Sequence, residues 1–194
     1  MMDQTTPNSP ELPTSIHIIV LTGFMGAGKS TVGPLLAERL SWTFLDLDTE
    51  IERLAGHSVA EIFRIHGEAH FRAREARTLQ SLITRPRTVL ALGGGAIESE
   101  SSRQLLATTP GLCTVYLSAP IEDLIDRCLA QQQQTNATRP VLADRERLHT
   151  RWSSRLPHYQ QAHLCVETSH LTPEQVASNI AASVATHLSQ AQKP

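Results

Sequence analysis

Five short apolar runs divide the chain, at residues 16–21, 42–47, 88–92, 114–117 and 163–166. The first is nearly continuous, the pattern of a strand buried on both faces. The segments between the runs carry helix signals. A helix is predicted from the end of the glycine-rich stretch at 23–30 to about residue 40. A short one over 49–55 is stopped by Gly56. Ser58-Val59-Ala60-Glu61 is a capping box that opens another. A longer helix follows over 68–83 and ends before Pro86. Further helices are predicted over 99–107, from near Pro120, over 145–155 as far as Pro157, and over 173–188. The polar, glutamine-rich stretch 131–138 reads as a mobile loop. Residues 1–14 place Pro7, Pro10 and Pro13 among polar residues and read as a disordered leader. Strands alternating with helices predict an α/β fold, a parallel sheet covered on both faces in one domain over residues 15–190.

Composition narrows the class of protein. The 194 residues are 40% hydrophobic and 19% charged, ordinary for a soluble domain with one core. A formal net charge of −2 gives no basic excess for nucleic acid or an anionic membrane, so neither is expected as a partner. No apolar run approaches the roughly 20 residues that span a bilayer. The N-terminal residues lack the basic and apolar regions of a signal peptide, so a cytoplasmic protein is expected. Cys113, Cys128 and Cys165 show no CxxC spacing and read as buried free thiols.

The strongest chemical signal is Gly23-Phe24-Met25-Gly26-Ala27-Gly28-Lys29-Ser30. It fits G-x-x-x-x-G-K-[ST] at every fixed position, with a strand before and a helix after. Glycines let the backbone wrap a phosphate with N–H groups turned inward, and the helix N-terminus adds positive potential. Lys29 is placed to reach the β and γ phosphates, and Ser30 to give magnesium a hydroxyl ligand. A nucleoside triphosphate with magnesium is therefore expected here. Pro34, early in the following helix, removes one backbone donor.

The rest of the site must name the reaction. Asp46 and Asp48 end the second strand, on the side where open parallel sheets bind ligands. They suit a water-mediated magnesium contact and a substrate hydroxyl, or else they are turn acids with Asp48 capping the next helix. Arg72 and Glu75 share a helix face, as a surface ion pair or with Arg72 free to grip a carboxylate. Gly93-Gly94-Gly95 follows a buried strand and admits either a close ligand or a flexible turn. Arg155, before Leu156-Pro157-His158-Tyr159, is a second carboxylate clamp or a helix-end charge. Arg139, in the loop after the glutamines, is a solvated arginine or one that closes over the γ-phosphate. His66 and His70 are spaced as metal ligands, but Gly67 weakens the helix between them.

In this order, GFMGAGKST, FLDLD with Thr49-Glu50-Ile51, Ile62-Phe63, Gly67-Glu68, FRARE, LGGGAI, Arg139-Pro140-Val141-Leu142 and Arg155-Leu156-Pro157-His158-Tyr159 resemble the shikimate kinases over about residues 16–188. The resemblance implies a three-layer P-loop kinase fold with a five-stranded parallel sheet and a mobile lid, here about 131–145. It implies transfer of the γ-phosphate of ATP to the 3-hydroxyl of shikimate with Mg2+, in the chorismate pathway, by a monomer. Lys29, Asp48 and Arg139 would be catalytic. ATP would meet Gly26, Ala27, Gly28, Lys29, Ser30 and Thr31, with Arg127 beside the adenine and Arg139 at the phosphates. Asp48, Arg72, Gly94 and Arg155 would hold shikimate, and Ser30 with Asp46 the metal. The chain departs from the family in a longer, glutamine-rich stretch over 127–139, in Pro34 and in His158. The alternatives are a kinase for gluconate or an aminoshikimate, and a non-catalytic nucleotide-binding regulator. No N-K-x-D guanine signature supports a GTPase.

Overall fold

β1 (Ile18–Thr22) is buried along its whole length, and it lies at the centre of a five-stranded sheet of order β2-β3-β1-β4-β5. The computed structural model describes residues 15–135 and 144–191. The other strands are β2 (Thr43–Asp46), β3 (Thr88–Ala91), β4 (Leu112–Ser118) and β5 (Leu164–Glu167), and every pairing is parallel. Helices supply the crossovers: α1 (Lys29–Leu40), α2 (Leu47–Ala55), α3 (Val59–Leu82), α4 (Glu100–Thr108), α5 (Ile121–Thr135), α6 (Arg145–Tyr159) and α7 (Pro173–Ala191). α1 packs on β2, β3 and α7, while α3 packs on α2 and α4. Apolar side chains of both helical layers meet those of the sheet in one core. Among the described residues, no helix is long and apolar enough to cross a membrane.

The register positions the chemistry. Leu21 of β1 and Asp46 of β2 both sit opposite Ala91 of β3. The glycine-rich loop after β1, the acids after β2 and the three glycines after β3 therefore leave the sheet at one edge.

Several boundaries differ from the sequence expectation, each for a physical reason. The second strand stops at Asp46, not residue 47, because the Asp46 side chain caps α2 by accepting from the N–H groups of Asp48 and Thr49. α5 continues to Thr135, so the first five residues of the expected loop at 131–138 are helical, in keeping with the good helix propensity of glutamine. The expected lid centre, with Arg139-Pro140-Val141-Leu142, lies outside the described residues, as does the leader 1–14. α6 runs through Pro157 to Tyr159, because burial of Arg155 and Tyr159 holds its last turn; Tyr159 stacks on Tyr116 at 5.2 Å. Cys165 is exposed, not buried, since β5 is an edge strand with an alternating face, whereas Cys113 and Cys128 are buried as expected. The joint expected before residue 68 is present: Gly67 breaks the helical path of α3 at φ 78°, ψ 173°. The capping box at its start is formed, with Ser58 N–H donating to Glu61 Oε2 at 2.9 Å.

Candidate functional site

The loop between β1 and α1 is built on left-handed turns that glycine allows. Gly26 has φ 77°, and a Cβ there would run into the carbonyl of Leu124 and lie 3.0 Å from the Cys128 sulfur. α5 thus backs the loop from outside. No side chain caps the N-terminus of α1, so its amide end faces the loop. Lys29 folds back over the loop and donates to the carbonyls of Gly23 at 2.7 Å and Phe24 at 3.2 Å. Desolvation of its ammonium lowers its pKa to about 8, against the opposing pull of Asp46 and Asp48.

Ser30 Oγ donates to Asp46 Oδ2 at 3.0 Å, which joins the two residues expected at the metal. The other Asp46 oxygen serves the α2 cap, at 3.1 Å from Asp48 N. The cap is therefore Asp46 and not Asp48. This leaves the Asp48 carboxylate, in the first turn of α2, to turn toward the three glycines. Burial and the nearby Asp46 raise its pKa, while Lys29 works the other way.

The three glycines divide the acceptor side between them. A Cβ on Gly93 would strike the Asp48 carboxylate, with Cγ at 3.0 Å. One on Gly94 would sit 3.6 Å from Arg155 Nη1. One on Gly95 would lie 2.6 Å from Arg72 Nη2. Gly93 and Gly95 make room for Asp48 and Arg72, while Gly94 lies in ordinary contact range of Arg155. Tyr159 adds a hydroxyl that donates to the Gly94 carbonyl at 3.3 Å.

Both arginines are held by carboxylates. Arg72 Nη1 donates to Glu75 Oε2 at 2.8 Å and Nη2 to Glu68 Oε1 at 3.3 Å. Glu75 is buried, which raises its pKa, while its bond to Arg72 opposes the rise. Arg72 and Glu75 are thus a supported pair lining the site and not a solvated surface bridge. Arg155 is buried, its guanidinium 5.7 Å from the ring centre of Phe24 in the phosphate loop. Its Nε donates to Glu98 Oε1 at 2.6 Å. The other Glu98 oxygen stands 3.8 Å from Arg72 Nη2. One carboxylate therefore bridges both arginines. Glu98, Tyr159 and Phe24 were not singled out from the sequence. Glu98 follows Gly95 by three residues in a 3-10 turn (Ala96–Glu98), and no motif marks it.

Arg127 lies on α5. It donates to Thr168 Oγ1 and to the Thr168 carbonyl, both at 2.9 Å, and so ties α5 to the loop after β5. Arg139 is outside the described residues. Thr31 is exposed in the first turn of α1, and Ala27 is buried beneath the loop. His66 and His70 stack ring on ring at 4.6 Å. Among the described residues, no group of three or more His, Cys, Asp or Glu side chains forms a metal cage. The oxygens of Ser30 and Asp46 are hard donors of the kind that suits magnesium shared with phosphate.

Comparison with known proteins places this geometry. The family model described as "Shikimate kinase" matches residues 25–185. A shikimate kinase of Geobacter metallireducens is 39% identical over 171 residues, covering 87% of this chain and 92% of that one. The structure of a shikimate kinase from Acinetobacter baumannii in complex with shikimate superposes with a TM-score of 0.78 at 36% identity, covering 92% of this chain and 96% of that one. A gluconokinase from Sinorhizobium meliloti superposes at a TM-score of 0.58 and 18% identity, over 91% of this chain and 98% of that one, a likeness of fold alone.

Proposed function

The chain belongs to the shikimate kinase family, and from that premise we propose how its residues divide the work of phosphoryl transfer. The protein is an ATP-dependent kinase that moves the γ-phosphate of ATP to the 3-hydroxyl of shikimate, giving shikimate 3-phosphate and ADP. The observation that carries the residue roles is the pairing of the three glycines with Asp48, Arg155 and Arg72, across from the phosphate loop.

In this reading the loop amides of Gly26, Ala27, Gly28, Lys29, Ser30 and Thr31 cradle the ATP phosphates, and Lys29 turns from Gly23 and Phe24 toward the β and γ oxygens. Arg72 and Arg155 take the shikimate carboxylate, and Gly94 lets its ring approach the backbone. Asp48 orients the attacking hydroxyl and accepts its proton as the new P–O bond forms and the bond to ADP breaks. The transition state is loose, so positioning and charge neutralisation carry most of the catalysis. Ser30 and Asp46 would hold magnesium. Held there, magnesium would supply positive charge to neutralise the phosphates. Arg139 belongs to the proposal as the arginine over the γ-phosphate. Arg127, fixed on Thr168, offers a flat guanidinium beside the adenine. A monomeric, cytoplasmic enzyme completes the proposal.

The test is Asp48→Asn. It is expected to bind ATP as the native protein does and to lose turnover by at least about 100-fold, the scale of general-base and orienting contributions. Native rates of shikimate-dependent ADP release from the variant would remove Asp48 from the chemistry.

A further inference from the structure

Glu98 has no role in the scheme above, yet it occupies the centre of the acceptor site. Its carboxylate meets the same two guanidinium groups that are assigned to the substrate carboxylate, Arg155 at 2.6 Å and Arg72 at 3.8 Å. The arginines differ in what else supports them. Arg72 also has Glu75 at 2.8 Å and Glu68 at 3.3 Å. Arg155 has a side chain only 7% exposed, and Glu98 is its one ion-pair partner among the described residues. A buried cation needs a counter-charge at all times, because an unpaired one is costly in a poorly solvated place.

Glu98 combines a held backbone with a solvent-exposed side chain. Its backbone is pinned, since Arg103 Nη1 donates to the carbonyls of Ile97 at 2.9 Å and Glu98 at 2.8 Å. Its side chain is 42% exposed, so the carboxylate can swing into water without disturbing the turn. Arg151, exposed one helical turn before Arg155, adds positive charge on that solvent side.

We propose that Glu98 is a resident carboxylate that pairs with Arg155 and Arg72 until the carboxylate of shikimate displaces it, and that it thereby sets the affinity and carboxylate specificity of the acceptor site. The inference rests on the reading of Arg72 and Arg155 as the carboxylate clamp. The exchange swaps one anion for another, so the charge around Arg155 stays balanced through the cycle. An acceptor without a carboxylate has nothing to offer Arg155 in return and leaves Glu98 in place.

Glu98→Gln keeps the shape and an acceptor oxygen but weakens the competing anion. The expected result is a shikimate KM lower by roughly three- to tenfold, since a charge-assisted bond to the arginines becomes a neutral one. The KM for ATP serves as the internal control and should not follow. The free variant should melt below the native protein, and shikimate alone should raise its Tm by more than it raises the native Tm. Glu98→Asp, which keeps the charge on a shorter tether, should shift the shikimate KM the same way by less. An equal or higher shikimate KM in both variants overturns the proposal and makes Glu98 a fixed support for the arginines. Arg155→Ala separates this from the underlying reading. If Arg155→Ala leaves the shikimate KM unchanged, the clamp itself is wrong. If it raises KM at least about tenfold while the Glu98 variants do not lower it, only the exchange fails.

Discussion

Lys29 is where function costs the fold most visibly. Its folded pKa of about 8 lies below the unfolded value of 10.5, so the native state holds this proton less tightly than the unfolded chain does. The sign follows directly. Below pH 8 the buried charge opposes folding, and between pH 8 and 10.5 that penalty fades as pH rises. Phosphate binding needs the charged form. Nucleotide affinity of the free enzyme should therefore hold steady below about pH 8 and weaken above it, read by equilibrium titration with an ATP analogue. Lys29→Met should bind weakly at every pH and lose that dependence. A native profile that stays flat through pH 9, about one unit above the Lys29 pKa of about 8, contradicts the assignment of this titration to Lys29. At this scale the motif residues were readable because their types are tied to phosphate chemistry. The division of labour between Asp46 and Asp48 was not, because either acid satisfies a cap. Only the actual start of α2 decides that Asp46 accepts from Asp48 N at 3.1 Å, so that the cap does not occupy the Asp48 carboxylate.

At the scale of elements, the glycine turn after β3 is the part on which the proposed acceptor geometry depends. Gly95 has an ordinary backbone conformation, φ −101°, so alanine is tolerated by the chain itself. Its Cβ would lie 2.6 Å from Arg72 Nη2 and 2.7 Å from Nη1. Gly95→Ala should raise the shikimate KM about tenfold by moving the guanidinium, with little change in Tm, as steady-state kinetics and melting would show. Gly33 in α1 is the contrast. A Cβ there would lie 2.7 Å from Phe44 Cδ2, far from the acceptor. Gly33→Ala should cost about 1–3 kcal/mol of stability through overpacking, seen as a lower denaturant midpoint. The existence and type of these elements were readable from apolar runs, caps and punctuating prolines. Two ends were not. Glutamine favours helix as readily as loop, so α5 ran on to Thr135, and tertiary burial of Tyr159 carried α6 past Pro157.

For the whole molecule, the strand order is what brings two half-sites together. β3 lies between β2 and β1, so the acids, the glycines and the phosphate loop leave adjacent strands at one edge. The family resemblance implied five parallel strands but not their order, because pairing between strands distant in sequence leaves no local signal. Glu98 was invisible for a related reason: its partner Arg155 is 57 residues away. The same fold also carries a gluconokinase at a TM-score of 0.58, so architecture alone does not choose the acceptor. In the proposed scheme the choice falls to the two arginines and Asp48. The most direct measurement is ADP release by the purified protein with MgATP, offered shikimate, gluconate and other hydroxy acids in turn. Shikimate should support turnover at a kcat/KM at least about 100-fold above any other acceptor, with shikimate 3-phosphate as product. Equal or faster turnover with gluconate, or no shikimate-dependent ADP at all, would contradict the account.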